Sequence, residues 1–197
     1  MLAVKPGKPA EAVVIGASAG ALDALTVLLP EVSRELAVPV VVVVHLSPRR
    51  PSLLPDILRP LCASEVKEPD DKEPVRRGVI WLAPPDYHLL IDADRTFSFS
   101  VDEPVKFSRP SIDVLFESAA DVYRDQLVGV VLTGANDDGA LGARAIRRSG
   151  GLVLVQDPKL AEAPEMPRAA VSLADPQFVG ALPEIVETLT AITRRPA

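Results

Sequence analysis

The chain has a single cysteine, Cys62, so it can hold neither an internal disulfide nor a metal site built from several thiolates. It has only two histidines, His45 and His88, and its carboxylates are scattered without ligand spacing, so no metal and no other cofactor is expected. Basic residues are in deficit. Lys and Arg number 21 against 27 Asp and Glu, a formal net charge of -6, which lacks the concentrated positive field a nucleic-acid surface requires. The short basic spots "RRPSLL" and "IRRSG" read as solvated faces. The opening "MLAVKPGKPAEA" has no apolar stretch of signal-peptide length, and "VPVVVVVHL" is far shorter than the ~20 residues that cross a bilayer. These absences exclude membrane insertion and point to a reducing cytoplasm.

What remains is an ordinary globular composition, 48% hydrophobic and 24% charged over 197 residues. That length suits one good-sized core, so a single domain over residues 1–197 is expected, with its core at about 11–193. Valine-, isoleucine- and leucine-rich runs at 12–16, 39–45, 79–82, 127–132 and 151–155 read as strands buried on both faces. Helical patterns fall at 20–36, 51–62, 110–125, 138–149 and 182–193, with Pro51 and Pro110 suited to first turns. Alternation of this kind predicts an α/β fold: a doubly wound three-layer sandwich on a mostly parallel sheet. Between about 63 and 107 the pieces shorten, and "DADR" reads as the turn of an antiparallel β-hairpin in mid-chain. The tail "TRRPA" reads as frayed.

The junction "GASAG" at residues 16–20 admits three readings. Ser18 could cap the following helix by accepting a backbone N–H. As a dinucleotide loop the stretch should read G-x-G-x-x-G, but Ser18 takes the middle glycine position and the second strand ends in His45 rather than an acidic residue. As a nucleophile turn it matches G-x-S-x-G literally, with small neighbours that permit a sharp bend lifting the hydroxyl above the sheet edge.

A serine nucleophile needs a base, and an imidazole base works best when a carboxylate fixes its tautomer. His45 closes the second strand, on the same sheet edge as Ser18; His88, which begins a strand in the irregular region, has no comparable geometric argument. In "VGVVLTGANDDGALGARAI" a third buried strand runs into Asp137 and Asp138, either of which could cap the next helix or orient His45. Ser, His and Asp at three strand ends on one edge favour catalysis over three separate structural roles. Their chain order differs from the Ser, Asp, His order of α/β-hydrolases.

These residues, in this order, resemble the catalytic domain of the chemotaxis protein-glutamate methylesterases, the CheB family. The likeness covers about residues 11–180 and rests on "VVIGASAGALDAL", "VVVVHLSP", "LAPPDYHLLI", "SRPSIDVLFESAA", "VGVVLTGANDDGALG" and "QDPKLAEAPEMPRAAV". It implies a serine esterase that hydrolyses glutamate methyl esters on chemoreceptors to glutamate and methanol and can deamidate certain glutamines. By position it places the nucleophile on Ser18, the base on His45 and the orienting carboxylate on Asp138, with Asp137 second. It implies an oxyanion hole at the backbone N–H of Ala135, joined by elbow logic by that of Ala19. Phe107, Arg109 and Met166 belong to segments expected to border the substrate cleft, where Arg109 would either steer an acidic receptor or pair structurally.

The departures from the family pattern gather around that cleft. Ala19-Gly20-Ala21 replaces a usual Thr-Gly-Gly, Ala135 replaces a larger residue, and both "VKFSRPSID" and "EAPEMPRAA" differ from the usual segments. With about ten residues ahead of the first strand, no receiver domain is expected in this chain. A methylated chemoreceptor or similar signalling protein is the implied substrate. The implied control is a separate response regulator, unless the esterase is constitutive or the pathway is not chemotaxis. Two other functions compete: a non-catalytic binding module of the same fold, and a general small-ester hydrolase.

Overall fold

A computed structural model describes residues 8–46 and 51–193. Arg49 and Arg50 of the first basic spot, and the tail beyond Thr193, lie outside the described residues. Seven strands form one sheet in the order β3-β4-β2-β1-β7-β8-β9, and every pairing in it is parallel. They are β1 (Ala12–Ala17), β2 (Val40–Val44), β3 (Glu65–Lys67), β4 (Val79–Leu82), β7 (Leu127–Val131), β8 (Leu152–Gln156) and β9 (Phe178–Gly180). The remaining two, β5 (His88–Ile91) and β6 (Phe97–Ser100), pair antiparallel across the Asp92–Arg95 turn as a separate hairpin.

Alternation along each strand feeds two cores. Val13, Ile15 and Ala17 face Leu25, Leu28 and Leu29 of α1 (Ala21–Ser33) and Ile185 and Leu189 of α6 (Leu182–Thr193). Ala12 and Val14 face the other way, toward α3 (Ile112–Tyr123), α4 (Ala140–Arg148), α5 (Glu165–Ala174) and the hairpin. In α3, Ile112, Leu115, Phe116, Ala119, Ala120 and Tyr123 are buried, the stripe a 3.6-residue period demands. Helices on both faces of a mostly parallel sheet, with the hairpin beside them, match the doubly wound sandwich expected from the sequence.

The chain winds outward from β1 through β2 toward β3 and β4, then returns to β7 and winds the other way. The direction reverses between β1 and β7, and ligands of open α/β sheets bind beyond the strands' carboxyl ends at such a point. Ser18 and the loop after β7 lie there.

Several boundaries differ from expectation for identifiable reasons. The helix expected at 51–62 is a single turn and a half, α2 (Leu54–Leu58), followed by a tight 3₁₀ turn over Arg59–Leu61; Pro51 precedes it, Pro55 starts it and Pro60 withholds a donor. Pro110 likewise stands outside α3, whose cap is Ser111. The sequence reading missed α5, which carries Pro167 near its start, and the three-residue edge strands β3 and β9.

Candidate active site

The turn after β1 is held by backbone bonds and by one side chain, that of Thr133. The Ser18 amide donates to the Thr133 carbonyl (2.9 Å), and the Ser18 carbonyl accepts from the Ala21 amide (2.9 Å). Gly20, at φ 76, is the helix cap, and no side chain caps α1, so the capping reading of Ser18 does not hold. Gly20 is needed there twice over: its φ is left-handed, and a Cβ would fall 2.8 Å from Glu162 Oε2. Thr133 ties the turn to its neighbours, its hydroxyl donating to the Ala19 carbonyl (2.8 Å) and accepting from the Ala163 amide (2.9 Å).

His45 leaves the sheet one residue after β2, where its amide donates to the Ala17 carbonyl at 3.3 Å. The β1–β2 register pairs Ala17 with Val44, so Ser18 and His45 emerge side by side from adjacent strands. The imidazole is 11% exposed, and its Nε2 lies 2.7 Å from Asp138 Oδ2.

Asp138 is fully buried in the loop between β7 and α4. Oδ2 accepts from the Ile112 amide (2.7 Å), and Oδ1 accepts from the Ser111 hydroxyl (2.9 Å) and the amides of Asp113 and Gly139 (both 3.1 Å). The amides of Ile112 and Asp113 are the free donors of the first turn of α3, whose dipole also favours an anion there. Burial pushes the Asp138 carboxyl up, but the hydrogen bonds from His45, Ile112 and Asp113 outweigh it and hold it below the ordinary aspartate value. Facing an ionised Asp138, His45 Nε2 is the donor of this bond, and Nδ1 makes no hydrogen bond among the described residues. Asp137 points elsewhere: its side chain is 66% exposed and pairs with Lys106 at 3.1 Å.

Of the other residues singled out in the sequence, Ala19 and Ala135 are exposed, and neither amide donates to any acceptor among the described residues. A cleft of about 220 Å³ beside His45 is lined by His45, Leu46, Asp86, Pro104, Phe107, Ser108 and Arg109. Arg109 is committed structurally, however: Nη2 and Nε donate to Asp86 Oδ1 (2.6 and 3.1 Å), and Nη1 donates to the carbonyls of Val101 and Asp102. Met166 does not reach the cleft surface. It is fully buried, packed where a Cβ on Gly134 would strike its thioether, because the Gly134 carbonyl and the Met166 amide bond at 2.9 Å.

Sequence reasoning missed a supporting layer. His88 is buried, with Nδ1 accepting the Ser111 amide (3.1 Å) and Nε2 donating to the Glu103 carbonyl (3.2 Å). It therefore fixes Ser111, which in turn holds Asp138. Asp113 accepts from the Gly142 amide (2.8 Å) and makes an ion pair, without hydrogen-bond alignment, with Lys106 Nζ at 3.2 Å. Only Ser111 carried a legible signal, as the cap residue just after a proline.

Comparison with known proteins bears on the family and the fold. A family model described as CheB methylesterase matches residues 13–189. A Leptospira interrogans protein, provisionally named a protein-glutamate methylesterase/protein-glutamine glutaminase, is 49% identical over 177 residues, 90% of this chain and 92% of that one. A Symbiobacterium thermophilum protein named for the same two activities is 36% identical over 92% of this chain, which spans only 50% of it. The crystal structure of the Thermotoga maritima CheB methylesterase catalytic domain superimposes with a TM-score of 0.88 at 29% identity, covering 93% of this chain and 99% of that one.

Proposed function

The chain belongs to the CheB methylesterase family, and from that premise we propose that it hydrolyses glutamate methyl esters on a protein through a Ser18, His45, Asp138 triad. The observation that carries the reading is the 2.7 Å contact between His45 and a buried Asp138, beside Ser18 at the reversal point of the sheet. His45 Nδ1 takes the Ser18 proton as Oγ attacks the ester carbonyl. The resulting oxyanion is met by the unengaged amides of Ala19 and Ala135, a kind of donor worth about 100- to 1000-fold in rate each. Collapse breaks the ester C–O bond, and His45 returns the proton to the departing methanol. Water, activated in turn by His45, then hydrolyses the acyl-enzyme to free glutamate and Ser18. On a glutamine side chain the same steps would release ammonia, the second activity for which relatives are named.

The substrate we assign is a methylated chemoreceptor or similar signalling protein, met in the cytoplasm, with a separate response regulator as the candidate for control. No helix among the described residues is long and apolar enough to cross a membrane. The test is methanol release from methylated receptor membranes by the wild type and Ser18→Ala. Release by the wild type alone is expected. No release by either supports a binding module, and turnover of small soluble esters alone supports a general hydrolase.

A further inference from the structure

The turn Val105–Ser108, on the wall of the cleft, is built at a cost that the triad does not explain. The amides of Val105 and Ser108 donate to each other's carbonyls at 3.1 and 2.8 Å, which leaves Lys106 and Phe107 as the two central residues. Both have left-handed backbone, φ 48 and φ 65, in a type of turn where glycine and asparagine are the usual occupants. The Phe107 ring is fully exposed, at 103% of its reference area. Lys106 locks the turn in place, its Nζ reaching the Asp137 carbonyl (2.8 Å), Asp137 Oδ2 (3.1 Å) and Asp113 Oδ2 (3.2 Å). A rigid, strained turn thus holds a large apolar group in water next to His45. Neighbouring Arg109 cannot reach for an acidic partner without surrendering Asp86 and two carbonyls, whereas Val101, whose carbonyl Arg109 holds, is 69% exposed. The rim thus sets two exposed apolar side chains, Phe107 and Val101, beside the exposed carboxylates of Asp102 and Glu103.

We propose that Phe107 selects among protein substrates by packing against an apolar side chain that flanks the modified glutamate. A ligand contained within the cleft covers little of a ring that projects this far; a ligand with an extended surface covers it. The inference rests on the esterase reading above and deepens it. Phe107 touches the substrate but not the reacting atoms.

The experiment uses the intact chain with two helical peptides, each bearing one glutamate methyl ester and differing only in leucine or serine at the flanking positions, and a free glutamate methyl ester. Wild-type kcat/KM is expected to favour the leucine peptide by about tenfold, the worth of burying roughly one apolar side chain. Phe107→Ala should bring that preference close to one, and Phe107→Leu should retain part of it. Turnover of the free ester with equal rates on the two peptides overturns the proposal alone, as does a preference that survives in Phe107→Ala. Absence of methanol from all three esters, with wild type and Ser18→Ala alike, overturns the esterase reading and this proposal with it.

Discussion

The chemistry converges on one carboxylate. Asp138 is buried with five donors around it, and a backbone N–H that loses an ionised acceptor in such a place is left without water to replace it. Asp138→Asn should therefore act on both rate and acid stability. An amide there favours the wrong imidazole tautomer, and methanol release should fall by about 10⁴-fold at neutral pH, as carboxylate loss does in serine triads. The folded-state pKa of Asp138 lies below the unfolded value of about 3.9, so its contribution to stability is complete above that value and is lost as pH falls through the folded one. Denaturant midpoints followed from roughly pH 6 down to pH 2 should drop less steeply in Asp138→Asn than in the wild type. An unchanged slope would remove Asp138 as the titrating group.

Three elements meet at Lys106: the Val105–Ser108 turn, the loop before α4 and the first turn of α3. Its ammonium lies 24% exposed between two carboxylates, which raise its pKa against the opposing effect of burial. Asp113 is held above the ordinary aspartate value chiefly by its own burial, with the Asp138 charge adding to the effect and Lys106 and the Gly142 amide opposing it. Ionising Asp113 therefore costs stability as pH rises from the unfolded pKa through the folded one. Lys106→Met takes away a compensating charge and widens that interval. Its stability deficit should be larger at pH 7 than at about pH 4, by about 1–3 kcal/mol, measured by urea unfolding. An equal deficit at both pH values would mean that the lysine contributes only packing and its bond to the Asp137 carbonyl. The elements themselves were largely readable where periodicity was strong, as in α1 and α3. They were misread where proline intervened, as at Pro55, Pro60 and Pro167, because its ring both opens helices and interrupts them.

The two cores share the strands of one sheet, so neither can melt without exposing the other. Leu28→Ala, in the core beneath α1, should cost about 2–5 kcal/mol, and Phe116→Ala, in the core beneath α3, about 3–5 kcal/mol. Trp81 is the only tryptophan and sits on the Phe116 side, packed at 4.9 Å against Phe97. If residues 8–193 fold as one unit, Leu28→Ala should shift the Trp81 fluorescence transition and the circular-dichroism transition by the same amount. Separate midpoints would divide the chain into two cooperative units.

The five central strands of the sheet and the placing of Ser18, His45 and the Asp137–Asp138 pair at strand ends were legible in the order of residues, because apolar runs and strand-to-helix turns are local and carry their own patterns. The choice between Asp137 and Asp138, the capture of Arg109 by Asp86, the burial of Met166 and the support of Asp138 by His88 through Ser111 were not. Each depends on contacts between residues 23 to 93 positions apart. Such contacts are decided only once the helices have packed, when the α3 amides acquire a direction and a buried charge must stand where they point.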